Sequence, residues 1–401
     1  MSTRIAQRLL GVTPSATLAL AERARQMKAQ GIDVVSLTAG EPDFRTAPHV
    51  IAAAEACHAR GAYRYTAVAG IPELRQAIKA RIEAEHGVSY AAEEILVGAG
   101  AKQAIMNAML ALVERGDEVL IVAPYWLSYW DMTLLAEGTP KLLRTSEDQG
   151  FRLRPEALSD AITEKTRLFI LNSPSNPAGA TYSRAHLEAL AAVLRRHPGV
   201  LILLDDIYGK ICFSPEGAQS FLAVAPDLVD RIIHVDGASK TYAMTGFRIG
   251  WAAAKAPMIG AMTRVQAQTT SCATAPSQYA ALAALTGDQR WVGEMVRTYD
   301  ERRRFVIERL RAIPGLSCFD PGGAFYALPS IRPWLGRALP DGRPVDAAEV
   351  LVEYLLREHR VVTVPGTPFG APEHLRLSFA TDQSSLERGL ERIAAGLASL
   401  R

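Results

Sequence analysis

The 401 residues, 49% hydrophobic and 21% charged, are enough for a large buried core and place the chain among globular proteins. Lys and Arg total 44 against 42 Asp and Glu, a net charge of +2 with no basic block or aromatic-interleaved basic stripe, which argues against a nucleic-acid binder. No apolar run reaches the ~18 residues of a membrane span, the N-terminal apolar stretch is too short for a signal peptide, and four scattered cysteines (Cys57, Cys212, Cys272, Cys318) lack metal-ligand spacing; the expectation is a reduced, cytoplasmic protein without a metal site.

From about residue 95 to 255, short β-rich runs alternate with stretches of helical period, the pattern of βα units on a mostly parallel sheet. Strands are expected at 95–97, 119–122, 168–172, 200–205, 232–235 and 249–253. The clearest is VLILLDD, an apolar run ending abruptly in two carboxylates. It reads as a strand buried on both faces whose C-terminal end emerges at a ligand-binding edge. After about residue 285 the pattern changes to a long charged helix carrying Arg302, Arg303 and Arg304, a Pro314-Gly315 break, a strand near 325–328 and further helices and strands. The expected architecture is α/β: a three-layer α/β/α large domain (46–285) with a mostly parallel sheet, plus a smaller α+β domain built from 1–45 and 286–401. The arginine run reads as a solvated helix face.

Four segments can carry chemistry. Gly98-Ala99-Gly100-Ala101-Lys102 follows a strand and opens a helical pattern, where backbone N–H groups can approach a phosphate; Gln103 breaks a dinucleotide fingerprint, and on this segment alone a plain strand-to-helix turn is the favoured reading. Asp205-Asp206-Ile207-Tyr208 offers a strand-end carboxylate for a cationic ring nitrogen and a phenol donor, or merely a helix cap. Lys240 stands out because the chain has eight lysines against 36 arginines; an amine can form a Schiff base, although a surface lysine is the default reading. Arg248 and Arg376 are fork-shaped candidates for a phosphate and a carboxylate, or ordinary surface and edge-strand arginines.

The ordered segments AGEPDF (39–44), YTAVAGIPELR (65–75), APYWLSY (123–129), NSPSNPAG (172–179), DDIY (205–208), GASKTYAMTGFRIGW (237–251), GGAFY (322–326) and VPGTPFG (364–370), running from PSATLAL near Pro14 to RLSFAT ending at Thr381, resemble the fold-type-I aminotransferases that use pyridoxal 5′-phosphate. The closest similarity is to the prokaryotic aspartate/aromatic group. The resemblance implies that Lys240 carries the cofactor as an internal aldimine and moves the proton, and that Asp205 keeps the pyridine nitrogen protonated. Tyr208 and Asn176 would meet the phenolic oxygen, and Trp126 would stack on the ring. Gly100, Ala101, Lys102 and Arg248 would hold the phosphate, with Tyr65 reaching the neighbouring subunit's phosphate in a homodimer. Arg376 would grip the substrate α-carboxylate, with Gly40, Trp126 and Asn176 beside it. Gly237 departs from a frequent serine, and Ala101 from a frequent glycine. The implied activity is transfer of an amino group from an L-amino acid, aspartate favoured, to a 2-oxo acid such as 2-oxoglutarate. Aromatic or other neutral substrates, β-lyase or decarboxylase chemistry, and a non-catalytic sensor are the alternatives. No residue identifies itself as the reader of a second carboxylate; Arg45 and Arg264 are the candidates.

Overall fold

The computed structural model describes residues 5–13 and 16–401; Pro14 and Ser15 of the PSATLAL segment lie outside them, as does the N-terminal MSTR. Seven strands form one sheet: β1 (Ile95–Gly98), β2 (Glu118–Ala123), β3 (Thr139–Arg144), β4 (Thr166–Asn172), β5 (Leu201–Asp205), β6 (Ile232–Gly237) and β7 (Gly250–Ala253), in the order β1-β7-β6-β5-β4-β2-β3. Only β7 runs against the rest. The expected strands all form within a residue or two of their assigned ends. The sequence reading missed β3, an edge strand whose TPKLLR alternates between exposed and half-buried positions and so lacks the apolar run of its buried neighbours.

Helices cover both faces of the sheet. α1 (Pro72–His86) starts with proline at a first-turn position and stops at Gly87, whose φ of +68° suits a residue without Cβ. Its Leu74, Ile78 and Ile82 recur on one face and are fully buried, each worth about 1.5–3 kcal/mol of transfer free energy. They join one apolar layer with Leu204, Phe169 and Trp251. On the opposite face α2 (Ala101–Leu112) and α3 (Ser128–Leu135) pack Ile105, Met109 and Tyr129 against Leu203, Ile121 and Val235. A third cluster gathers Met295, Tyr299 and Leu310 of the long α4 (Arg290–Arg311), Phe325, Leu377 and the N-terminal Val35 and Leu37. We propose that this separate core marks the smaller unit, 1–45 with 286–401, against a larger one of 46–285. Arg302, Arg303 and Arg304 pair with Asp43, Asp300 and Asp320, so the run holds the helix surface.

Gly250 opens β7 directly beneath the turn between β1 and α2. A Cβ there would lie 2.3 Å from Ala101 N and 2.6 Å from Gly100 C, so the turn rests on glycine because no side chain fits. Gly250→Ala should lower stability by about 1–3 kcal/mol in urea denaturation. Gly246→Ala, where nothing lies within 4 Å, should leave the midpoint nearly unchanged; equal behaviour of the two variants would refute the contact.

Candidate active site

A cavity of about 1080 Å³ lies where the C-terminal ends of the parallel strands meet the start of β7. Strand ends expose side chains that the sheet interior must bury, so polar groups collect here. The cavity is lined by Gly40, Ala101, Lys102, Trp126, Asn176, Asp205, Tyr208, Lys240, Arg248 and Arg376, ten of the positions expected from the sequence. Gly100 sits in the adjoining turn as the residue capping α2, with φ of +91°. Tyr65 is 92% exposed and outside the cavity. Arg45 and Arg264, the candidates for reading a second carboxylate, do not line this cavity; both side chains are exposed.

Asp205 ends β5, 3% exposed. Its Oδ2 accepts a hydrogen bond from Tyr129 Oη at 2.5 Å and its Oδ1 one from Ile207 N at 3.2 Å. Burial raises its pKa to about 6, against the pull of these two donors. Both donors are neutral, and among the described residues no cation pairs with it. A cation is therefore what this carboxylate lacks. Arg376, in the strand Leu375–Ser378, is the inverse case: 3% exposed, its forked nitrogens donate to Asn176 Oδ1 (3.2 Å) and Thr38 O (3.0 Å), Nε has no partner, and no carboxylate neutralises it. Its guanidinium stacks on Tyr326 and Phe369, which fixes the plane it presents to an incoming carboxylate.

Lys240 lies between them, on the short helix that follows β6, its Nζ donating to Gly40 O. Desolvation lowers its pKa to about 8; Arg248 and Arg376 push the same way, and Glu41 opposes them. Such an amine is neutral often enough near pH 8 to act as nucleophile or base. At the other end Arg248 adopts φ +53°, donates to Thr245 O, and packs so closely on Gly100 that a Cβ there would sit 2.6 Å from its Nη2. With the N-terminus of α2 and Lys102 it concentrates positive potential suited to a phosphate. Lys102 Nζ lies 5.0 Å over the Trp126 ring, and its pKa is lowered by burial and then by Arg248. Gly237 occupies a spot where a Cβ would be 3.1 Å from Gly250 Cα; Ser239 lines the cavity instead.

The sequence reading passed over Tyr129 and Tyr326, although both stand in segments it had singled out. Tyr326 Oη lies 2.9 Å from Tyr208 Oη. Asn172 organises the turn after β4, donating to Asp205 O and accepting from Asn176 N. These roles depend on distance between elements and leave no mark in spacing.

The family description "Aminotransferase class I and II" matches residues 32–393. The chain is 41% identical over 393 residues to the aspartate/prephenate aminotransferase of Nitrosomonas europaea, covering 98% of this chain and 99% of that protein. Its structure is similar to the aspartate aminotransferase of Rhizobium meliloti (TM-score 0.96, 42% identity, all of both chains) and to that of Thermus thermophilus solved with maleate (TM-score 0.91, 38% identity, 98% of this chain and all of that one).

Removing the Tyr129 hydroxyl deletes a bond that holds Asp205 down. Tyr129→Phe should therefore raise the Asp205 pKa, and the acid limb of pyridoxal phosphate binding should move up by about one pH unit, the equivalent of ~1–2 kcal/mol. A binding titration across pH checks this, and an unmoved limb would remove Tyr129 from the site.

Proposed function

Because the chain belongs to the class I and II aminotransferases, we propose that it holds pyridoxal 5′-phosphate on Lys240 and moves the amino group of L-aspartate to 2-oxoglutarate. One observation carries this reading: a buried carboxylate without a cation, Asp205, and a buried guanidinium without an anion, Arg376, flank a desolvated amine in one cavity. When bound, pyridoxal phosphate supplies an electron-withdrawing ring that accepts the charge left as the α-proton departs.

The chain's residues do the rest. Asp205 holds a proton on the ring nitrogen, and Tyr129 holds Asp205. Gly100, the backbone of Ala101 and Lys102, and Arg248 fix the phosphate, while Trp126 covers the ring and Tyr208 and Asn176 face its phenolic oxygen. Arg376 would orient the α-carboxylate and align the α-proton with the Lys240 amine, which would take that proton and deliver it, on the same face, to the cofactor carbon that receives the amino group. With Arg376 and Arg248 so used, the Lys102 amine is the remaining cation in the cavity among the described residues. It meets the second carboxylate of aspartate. The maleate of the Thermus thermophilus structure is also a dicarboxylate.

A second reading is favoured by the apolar wall of Met106, Leu110 and Leu135. A ring-bearing substrate such as prephenate, named for the Nitrosomonas europaea relative, would lie against it. The exposure of Tyr65, with Tyr63 at 66% and Leu10 at 78%, supports a homodimer in which Tyr65 completes the partner's phosphate site. No helix among the described residues is long and apolar enough to cross a membrane, and four free cysteines support a reducing, cytoplasmic setting.

The visible spectrum of the cofactor-loaded protein tests the reading. L-Aspartate alone should convert it to the pyridoxamine form, and 2-oxoglutarate should reverse the change. A spectrum unmoved by aspartate but moved by aromatic amino acids establishes the second reading, and ammonia or carbon dioxide release sinks transamination. Arg376→Ala should raise half-saturating aspartate and 2-oxoglutarate about a hundredfold, ~3 kcal/mol. Lys102→Met should weaken aspartate far more than alanine. Capture of added cofactor by the apoprotein should accelerate as pH rises through about 8, because only the neutral Lys240 amine attacks; a rate flat from pH 7 to 9 contradicts its depressed basicity.

A further inference from the structure

On the far face of the sheet from Asp205, three potential ligands converge from three elements. Leu204 pairs with His234, and Asp206 lies two residues beyond Leu204, so Asp206 and His234 share the face that α1 covers, while Asp205 points the other way. His86, the last residue of α1, meets them there: its ring lies edge to face with His234, centroids 5.3 Å apart. One ligand atom from each of His86, Asp206 and His234 lies within 4.8 Å of the others.

Two further observations point to a cation. His234 is 1% exposed, and neither ring nitrogen has a hydrogen-bond partner; Nε2 lies 3.2 Å from Asp206 Oδ2, within ion-pair distance. Burying an imidazole with both nitrogens unused is costly unless something else binds it. Among the described residues the permanent charges are also unequal, although an ion-paired His234 can offset Asp206. Glu85, Asp206 and Asp236 face only two fixed cations, Arg81 and Lys210, and both of those are engaged by Glu85 (3.1 and 2.7 Å), with Arg81 reaching Asp236 at 3.8 Å. Asp206 keeps only Ser220 Oγ and the imidazoles.

We propose that His86, Asp206 and His234 form a zinc site, two imidazoles and one carboxylate with water completing the tetrahedron. The ion ties the end of α1 to the ends of β5 and β6, directly behind the residue that faces the cavity. Two imidazoles with one carboxylate suit Zn²⁺ better than Mg²⁺ or Ca²⁺, which take oxygen donors. Sequence spacing cannot reveal the site, since positions 86, 206 and 234 are brought together only by the fold.

The test uses full-length, cofactor-loaded protein stripped with a chelator and titrated with Zn²⁺ against a chromophoric competitor, with zinc-edge X-ray absorption on the loaded sample. One saturable zinc per chain with only nitrogen and oxygen donors is expected, together with a rise in melting temperature. His86→Ala, at a half-buried helix end where the fold tolerates truncation, should weaken binding at least tenfold and abolish that rise, and Asp206→Asn should do likewise. Absence of stoichiometric binding, sulfur among the donors, or full affinity in His86→Ala overturns the proposal.

Discussion

Taking a carboxylate out of water costs several kcal/mol unless a charge or a set of donors replaces the solvent. Asp205 is buried with two neutral donors, and its pKa of about 6 records the imbalance. The surrounding cavity is organised by that imbalance and by its mirror image at Arg376. A negative and a positive group, each held rigidly and each short of a partner, define the two ends between which a ligand of opposite polarity fits. The desolvated amine of Lys240 lines the same cavity. The strain of unpaired charge is a stability cost the fold accepts at this edge, as functional sites commonly do.

Rigidity at this edge comes from the sheet. Gly237, Asp205, Asn172 and Gly98 end neighbouring or nearly neighbouring parallel strands, so their positions are fixed by backbone ladders. The antiparallel β7 brings Arg248 to the same rim from the opposite direction. Gly250 and Gly100 let the β1–α2 turn settle against that strand, which sets the first N–H groups of α2 beside the Arg248 guanidinium. Arg376 lies in a strand whose Leu375 and Leu377 belong to the core built on α4, so its place at the cavity is set by that core.

The alternation of a β-strand separates two polar systems one residue apart. Asp205 faces α2 and α3 and serves the cavity, whereas Asp206 faces α1 and joins His234, Ser220 and the charges of Glu85, Arg81 and Asp236. Adjacent aspartates show opposite pKa displacements: burial raises Asp205 against the pull of its two neutral donors, whereas at Asp206 the same burial is outweighed by His234, 3.2 Å away, and by Ser220.

Much of this was legible in the chain. Apolar runs such as VLILLDD exposed the buried parallel strands, because a strand covered on both faces must be apolar throughout; β3 escaped because an edge strand carries no such demand. Lys240 stands out by the scarcity of lysine, Asp205 by ending an apolar strand and Arg376 by lying inside an apolar alternation, and their order within the resembling segments gives them roles. Tyr129 and Tyr326 carry no such mark, since a hydroxyl's partner is settled by packing between distant segments. The sequence by itself determined the periodicities, the supply of reactive side chains and their order. Only the tertiary structure decided which charges are left without partners, because solvation and pairing are properties of three-dimensional neighbours.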